Sequence, residues 1–264
     1  PLGEGPFGLA QIRDGPPEAG DQRTFTVSDT VPQGPVRQSG VVLRRDASPE
    51  GNISLYLLLK GIGPVWVSAP GAGRGRVRFG GGMEPLSWGN FNLYKGTRRF
   101  YLKSVDVKED FWSLRSSPEK LRALLEWDRL LCLHLVPGLP CDELVALFYW
   151  SSILVRDGAD PLTAEWRFLR KWLEAWGLAP SLTFCLSCGK ALGDAVWNAE
   201  GLNCPEFALR SGGALLADGH RKLLVAAAEC PFDEVKRLFP ASGNDREFWK
   251  DGCKRMKNMF EYQK

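Results

Sequence analysis

Between Ser39 and Val107 the chain reads as five short β-like runs, and from Ser116 onward it reads as helix. That change of period constrains the fold more than any other feature. SGVVLRR (39–45) and ISLYLLL (53–59) are parted by DASPEGN, a cluster of turn formers. PVWVSA (64–69) follows the turn GIG, and FNLY (91–94) and RFYLKSVDV (99–107) flank KGT. Five strands and one Gly-rich basic loop, GAGRGRVRFGGG (71–82), predict a small barrel of the OB type, with an open meander as the alternative.

The second half has a different texture. SSPEKLRALLEWDRLLCLHL opens with Ser–Pro–Glu, the pattern of a cap with proline in the first turn. DELVALFYWSSILV (142–155) is nearly all apolar and predicts a buried helix capped by Asp142. PLTAEWRFLRKWLEAWG (161–177) sets Trp166, Leu169, Leu173 and Trp176 on one stripe, with Gly177 and Pro180 marking its end. HRKLLVAAAEC and NDREFWKDGCKRMKNMFEYQ predict two further helices. The expected class is α+β: a weakly ordered arm over 1–37 with one short strand near RTFTV, a nucleic-acid-binding barrel over 38–112, and an all-helical domain over 113–264. A cysteine segment, 184–207, is inserted in that helical domain.

Composition excludes several classes. A content of 44% hydrophobic and 25% charged residues is that of a globular protein, and no run approaches the length of a membrane span. No basic segment followed by an apolar core marks a secretory signal. Seven irregularly spaced cysteines favour reduced thiols and a cytoplasmic setting. With two histidines, no GxSxG or HExxH and no phosphate-loop motif, the residues give no footing for an enzyme.

Charge is uneven. From Arg37 to Lys103 stand eleven Lys or Arg against three acids, so this stretch carries +8 of a net +3 and the rest carries −5. Such asymmetry points to a polyanion partner. In an extended strand Arg74, Arg76 and Arg78 project to one side, and the glycines around them permit close approach to phosphate. Arg44, Arg45, Lys60, Lys95, Arg98, Arg99 and Lys103 complete the expected DNA-binding set. Trp66, Phe79 and Trp88 lie among them as candidate base-stacking rings, with core packing as their competing role.

FCLSCGKALGDAVWNAEGLNCPEF begins as a zinc ribbon: Cys185 and Cys188 form CxxC, and Cys204 follows after fifteen residues. The fourth position holds Phe207, which has no donor. Glu206, His220 and Cys230 lack the knuckle spacing. Two readings follow: an incomplete three-cysteine zinc site, or a metal-free fold in which Phe207 and Trp197 take the place of the ion. Cys132, Cys141, Cys230 and Cys253 read as small core residues. A thiol-redox protein built on CxxC is disfavoured, because no thioredoxin-like strand and helix surround it.

The order SGVVLRR, basic Gly-rich loop, EPLSWGNFNLYKG, apolar helices and LEAWGLAPSLTFC resembles the RecO family over roughly residues 38–230. That resemblance implies an OB-fold, a helical domain and an embedded zinc segment. It implies a non-catalytic, nucleoid-associated recombination mediator in bacterial DNA repair. Such a protein binds single- and double-stranded DNA, anneals complementary strands and, with RecR, helps replace single-strand-binding protein by RecA. WRFLRKW (166–172) is the candidate acceptor for the acidic tail of single-strand-binding protein, with amphipathic helix core as its equal alternative. The rival expectation is an adaptor whose helical domain binds repair partners with little DNA contact.

Overall fold

The computed structural model describes residues 31–73, 79–208, 212–238 and 245–261. The expected strand at RTFTV and the loop arginines Arg74, Arg76 and Arg78 lie outside the described residues. Two compact units divide the chain, Pro1–Ala146 and Leu147–Lys264.

In the first unit, β1 (Gly34–Ala47), β2 (Ile53–Leu59), β3 (Gly63–Ala69), β4 (Trp88–Lys95) and β5 (Phe100–Glu109) follow the five β-like runs of the sequence. They pair in the order β1-β2-β3-β5-β4, and β4 pairs back onto β1, so the sheet closes on itself. The ladders are antiparallel except β3–β5, which is parallel and holds two registered pairs. β1 serves two neighbours: Gly34–Val41 register on β4, and Gly40–Ala47 register on β2, with an irregularity between Val42 and Arg44. Gly40 belongs to both ladders, and a Cβ there would stand 2.1 Å from the Leu58 carbonyl oxygen, so no larger residue fits.

The period of two sorts the side chains. Ile53, Leu55, Leu57 and Leu59, with Val65, Val67, Phe91, Leu93, Phe100 and Leu102, fill the interior. Each large apolar side chain buried in this way contributes about 1.5–3 kcal/mol.

α1 (Pro118–His134) packs on β1 and buries Leu124, Trp127, Asp128, Leu130 and Leu131. Ser117 precedes it without a side-chain capping bond. At the start of α2 (Asp142–Arg156), the Asp142 carboxylate accepts from the Gly61 N–H at 2.6 Å. Gly138 N donates to the Pro64 carbonyl at 2.7 Å, so the α1–α2 loop is fastened to the start of β3.

The second unit carries α3 (Pro161–Ala175), β6 (Ala195–Trp197), β7 (Leu202–Asn203), α4 (Pro205–Ala208), β8 (Ala214–Leu216), α5 (Asp218–Glu229), α6 (Phe232–Leu238) and α7 (Arg246–Glu261). Asp160 caps α3 by accepting from Thr163 N at 2.9 Å. α3 packs on α5 and α7: Trp166 Nε1 donates to the Leu224 carbonyl at 3.0 Å, and the Trp172 and Phe260 rings lie 4.6 Å apart. The expectation of an all-helical domain is corrected here, because β6 pairs with both β7 and β8 in a small sheet. Two- and three-residue strands are too short to leave a readable period. Among the described residues no helix is long and apolar enough to cross a membrane.

Candidate functional site

Two arrangements stand out: an exposed surface on the barrel and a thiol cluster in the second unit. On the barrel, one outward-facing row can be followed strand by strand. Asp46 pairs with Ser54, Ser54 with Ser68, Ser68 with Tyr101, Tyr101 with Tyr94, and Tyr94 with Pro35. Alternation explains the row: Leu93 and Leu102 point inward, so Tyr94 and Tyr101 point out, and they are 45% and 36% exposed. Rings of that size left in solvent on a strand offer a flat face to which a base can stack.

Cations frame the two rings. Lys103 sits at an irregularity of the β4–β5 ladder, with its ammonium 5.5 Å from the Tyr94 ring centroid. Arg98 and Arg99 are exposed in the connection between β4 and β5. Arg37 pairs with Asn92 across β1 and β4, and Asn92 Nδ2 donates to Ser104 Oγ at 2.9 Å. The Asp106 carboxyl is held below its usual range first by a hydrogen bond from Lys108, with Asn90 and Arg37 adding to it.

The other expected residues stand elsewhere. Arg44 forms an ion pair with Asp46 at 2.9 Å and lies 6.0 Å from the Trp66 ring, while Arg45 pairs with Glu84 at 3.7 Å. Lys60 is exposed next to the β2–β3 turn. Lys95 is 6% exposed, in the inward phase of β4 with Phe91 and Leu93, and its ammonium lies 5.3 Å from the Phe100 ring.

The candidate stacking rings take their competing role, core packing. Phe79 and Trp88 are buried, and Trp66 packs on Tyr56 at 5.0 Å. Tyr94 and Tyr101 take the exposed positions instead. Their alternation with Leu93 and Leu102 was the pattern in the sequence that marks them.

WRFLRKW is core. Trp166, Phe168, Leu169 and Trp172 have no exposed surface. Arg167 donates to the Ala227 and Ala228 carbonyls, Arg170 to the Pro180 carbonyl, and Lys171 to Glu174. The cations of this segment are engaged within the fold, and its rings are not available to a peptide tail.

In the cysteine segment, the Sγ atoms of Cys185, Cys188 and Cys204 all lie within 4.8 Å of one another. Cys188 and Cys204 are 3.9 Å apart at sulfur. The knuckle is set by backbone bonds: Cys185 N donates to the Lys190 carbonyl, Gly189 N to the Cys185 carbonyl, and Cys204 N to Cys185 Sγ at 3.3 Å. Asn203 Oδ1 fixes the same turn by accepting from Ser187 Oγ at 2.6 Å. Arg221 on α5 donates to the Gly193 and Leu182 carbonyls, both at 3.0 Å, and so anchors the segment to the helix.

Burial pushes the Cys185 thiol up, but N–H groups of Cys204, Cys188 and Ser187 outweigh it and bring it down to about 6. The donor chemistry suits a thiophilic divalent cation, which the three sulfurs would hold. Glu206, His220 and Cys230 do not join the group; His220 instead stacks on Phe248 at 4.5 Å.

Phe207 and Trp197 do not take the place of an ion among the three sulfurs. Phe207 is 50% exposed, and Trp197 packs on Trp166 and beneath Arg255. The remaining thiols are ordinary packing groups: burial pushes Cys132 and Cys141 up to about 12 and Cys253 well above its usual value.

Comparison with known proteins supports the resemblance read from the sequence. The chain is similar to the DNA repair protein RecO of Acetivibrio thermocellus, with 25% identity over 194 residues, covering 72% of this chain and 77% of the relative. It is 28% identical to the RecO of Alkaliphilus metalliredigens over 156 residues, covering 59% and 63%. With the RecO of Anaeromyxobacter dehalogenans it shares 33% identity over 163 residues, covering 60% and 63%. No family model matches the chain.

Proposed function

We propose that this relative of the RecO proteins binds DNA through its barrel and serves DNA repair as a non-catalytic recombination mediator. One observation carries the reading: the exposed Tyr94–Tyr101 pair is framed by Lys103, Arg98, Arg99 and Arg37. The strand order β1-β2-β3-β5-β4, with its parallel β3–β5 contact, supports assigning the barrel to the OB-fold. Bases stack on the tyrosines while the cations take phosphates and release counterions. Holding two strands with their charge screened speeds annealing without covalent chemistry. Exchange of single-strand-binding protein for RecA, together with RecR, is the cellular role this reading assigns, and it rests on the resemblance alone.

The rival reading, an adaptor with little DNA contact, draws on the second unit. Trp150 on α2 is 53% exposed and edge-on to Phe232 at 5.5 Å, a ring of the kind that anchors a protein partner. Titration of fluorescent single-stranded DNA at two salt concentrations separates them. Binding that weakens steeply with salt supports the mediator. Absent or salt-insensitive binding overturns it in favour of the adaptor.

A further inference from the structure

Cys188 and Cys204 are more than two members of a three-sulfur group. Their Sγ atoms stand 3.9 Å apart, in mutual contact, while a disulfide requires about 2.05 Å. Closing that gap requires the two side chains to move toward each other. Room exists on the Cys188 side, where Gly189 has a φ of +70° and no atom lies within 4 Å of where its Cβ would be. Both cysteines are partly accessible, whereas Cys185 is buried at 3% exposure and its sulfur accepts the Cys204 N–H. Position 207, where a ribbon would supply a fourth thiolate, carries a half-exposed phenyl ring that offers no ligand and no sulfur to compete.

We infer that Cys188 and Cys204 form an oxidative modification site, closed to an intramolecular disulfide by a hydroperoxide. One thiol, as its thiolate, attacks the peroxide; the O–O bond breaks, water leaves and a sulfenic acid remains on that sulfur. The second sulfur then attacks the sulfenic sulfur, the S–O bond breaks, and its proton leaves with the hydroxide as a second water. In total, two thiols and one hydrogen peroxide give one disulfide and two waters, with two electrons passing from sulfur to the peroxide. The bridge removes two of the three sulfurs from metal ligation, so oxidation and metal occupancy exclude each other.

The test uses the whole reduced protein, stripped of metal by a chelator and exposed to hydrogen peroxide. The expected product is lighter by two hydrogen atoms and has lost two of its seven thiols. Trypsin cleavage after Lys190 separates Cys204 from Cys188, and chymotrypsin cleavage after Leu186 separates Cys188 from Cys185. The expected linked peptides therefore contain Cys188 and Cys204 in the unaltered protein, without relying on a variant that fails to fold. Cys188→Ser is expected to abolish the mass loss. A bridge through Cys185, a mass loss that persists in Cys188→Ser, or sulfinic acid at these cysteines without a bridge would each overturn the inference.

Discussion

Tyr94 and Tyr101 are direct partners across the β4–β5 ladder, and both rings face solvent, whereas Tyr56, Trp88, Phe91 and Phe100 on the same five strands are buried. Tyr94→Ala and Tyr101→Ala are each expected to weaken single-stranded DNA binding by about 1–3 kcal/mol. Phenylalanine at either position should preserve it, because stacking needs the ring and not the hydroxyl. Duplex binding should change less, since paired bases do not present their faces. Fluorescence titrations with both DNA forms check this, and an equal loss for both forms would refute stacking.

The cations divide into three groups with different expected behaviour. Arg98→Ala, Arg99→Ala and Lys103→Ala should each reduce the salt dependence of single-strand binding by about 0.7 in logarithmic slope. Arg44→Ala should do less, because the Arg44 guanidinium is engaged with Asp46 at 2.9 Å. Lys95→Ala should leave the slope unchanged and lower the melting temperature instead, since that side chain packs on Phe100 inside the ring. Binding isotherms at several salt concentrations, with melting curves alongside, separate the three groups.

Much of the barrel was legible because turn formers bound its β-like runs; ISLYLLL became β2 with the same ends, although six of its seven residues are buried and it does not alternate. The candidate interface was only partly legible. A count of basic residues treats Arg44, Lys95 and Lys103 alike, whereas phase within the strand and the presence of a nearby acid make one paired, one buried and one exposed. WRFLRKW had the composition of a docking site, but Arg167 meets carbonyls 60 and 61 positions away, which no local pattern reveals. The three cysteines were evident from spacing. That Phe207 leaves the cluster open rather than filling it depends on the path of the chain around α4.

Metal content should follow the thiols. Reduced protein is expected to retain zinc in stoichiometric amount, to yield it to a chelator more readily than a four-thiolate site does, and to lose it in Cys204→Ser. Proton competition from Cys185 should appear only as pH falls through about 6, because its folded-state value lies there rather than at the ordinary 9.0. Elemental analysis across pH checks both statements.

Asp128 is 5% exposed, its Oδ1 has no hydrogen-bond partner, and burial raises its carboxyl well above the usual range. The unfolded chain therefore gives up this proton at lower pH than the folded one, and stability falls as pH rises from the unfolded value toward the folded one. Asp128→Asn is expected to stabilise the protein at neutral pH by roughly 1–3 kcal/mol. The gain should vanish as pH approaches about 4, where the unfolded carboxyl is protonated as well. Denaturant melts at the two pH values check the sign.

The parallel contact between β3 and β5, two registered pairs long, also leads us to expect an order of events in folding. The β1–β2–β3 meander and the β4–β5 hairpin assemble from neighbours in sequence, and the long β1–β4 ladder then joins them. The seam at Val67, Ser68, Phe100 and Tyr101 closes last, with the fewest bonds to hold it. It is accordingly where the ring opens first, and amide exchange should be fastest there among the ladders. Since Tyr101 lies on that seam, a strand seated across it would act as a splint, slowing exchange at the closure itself.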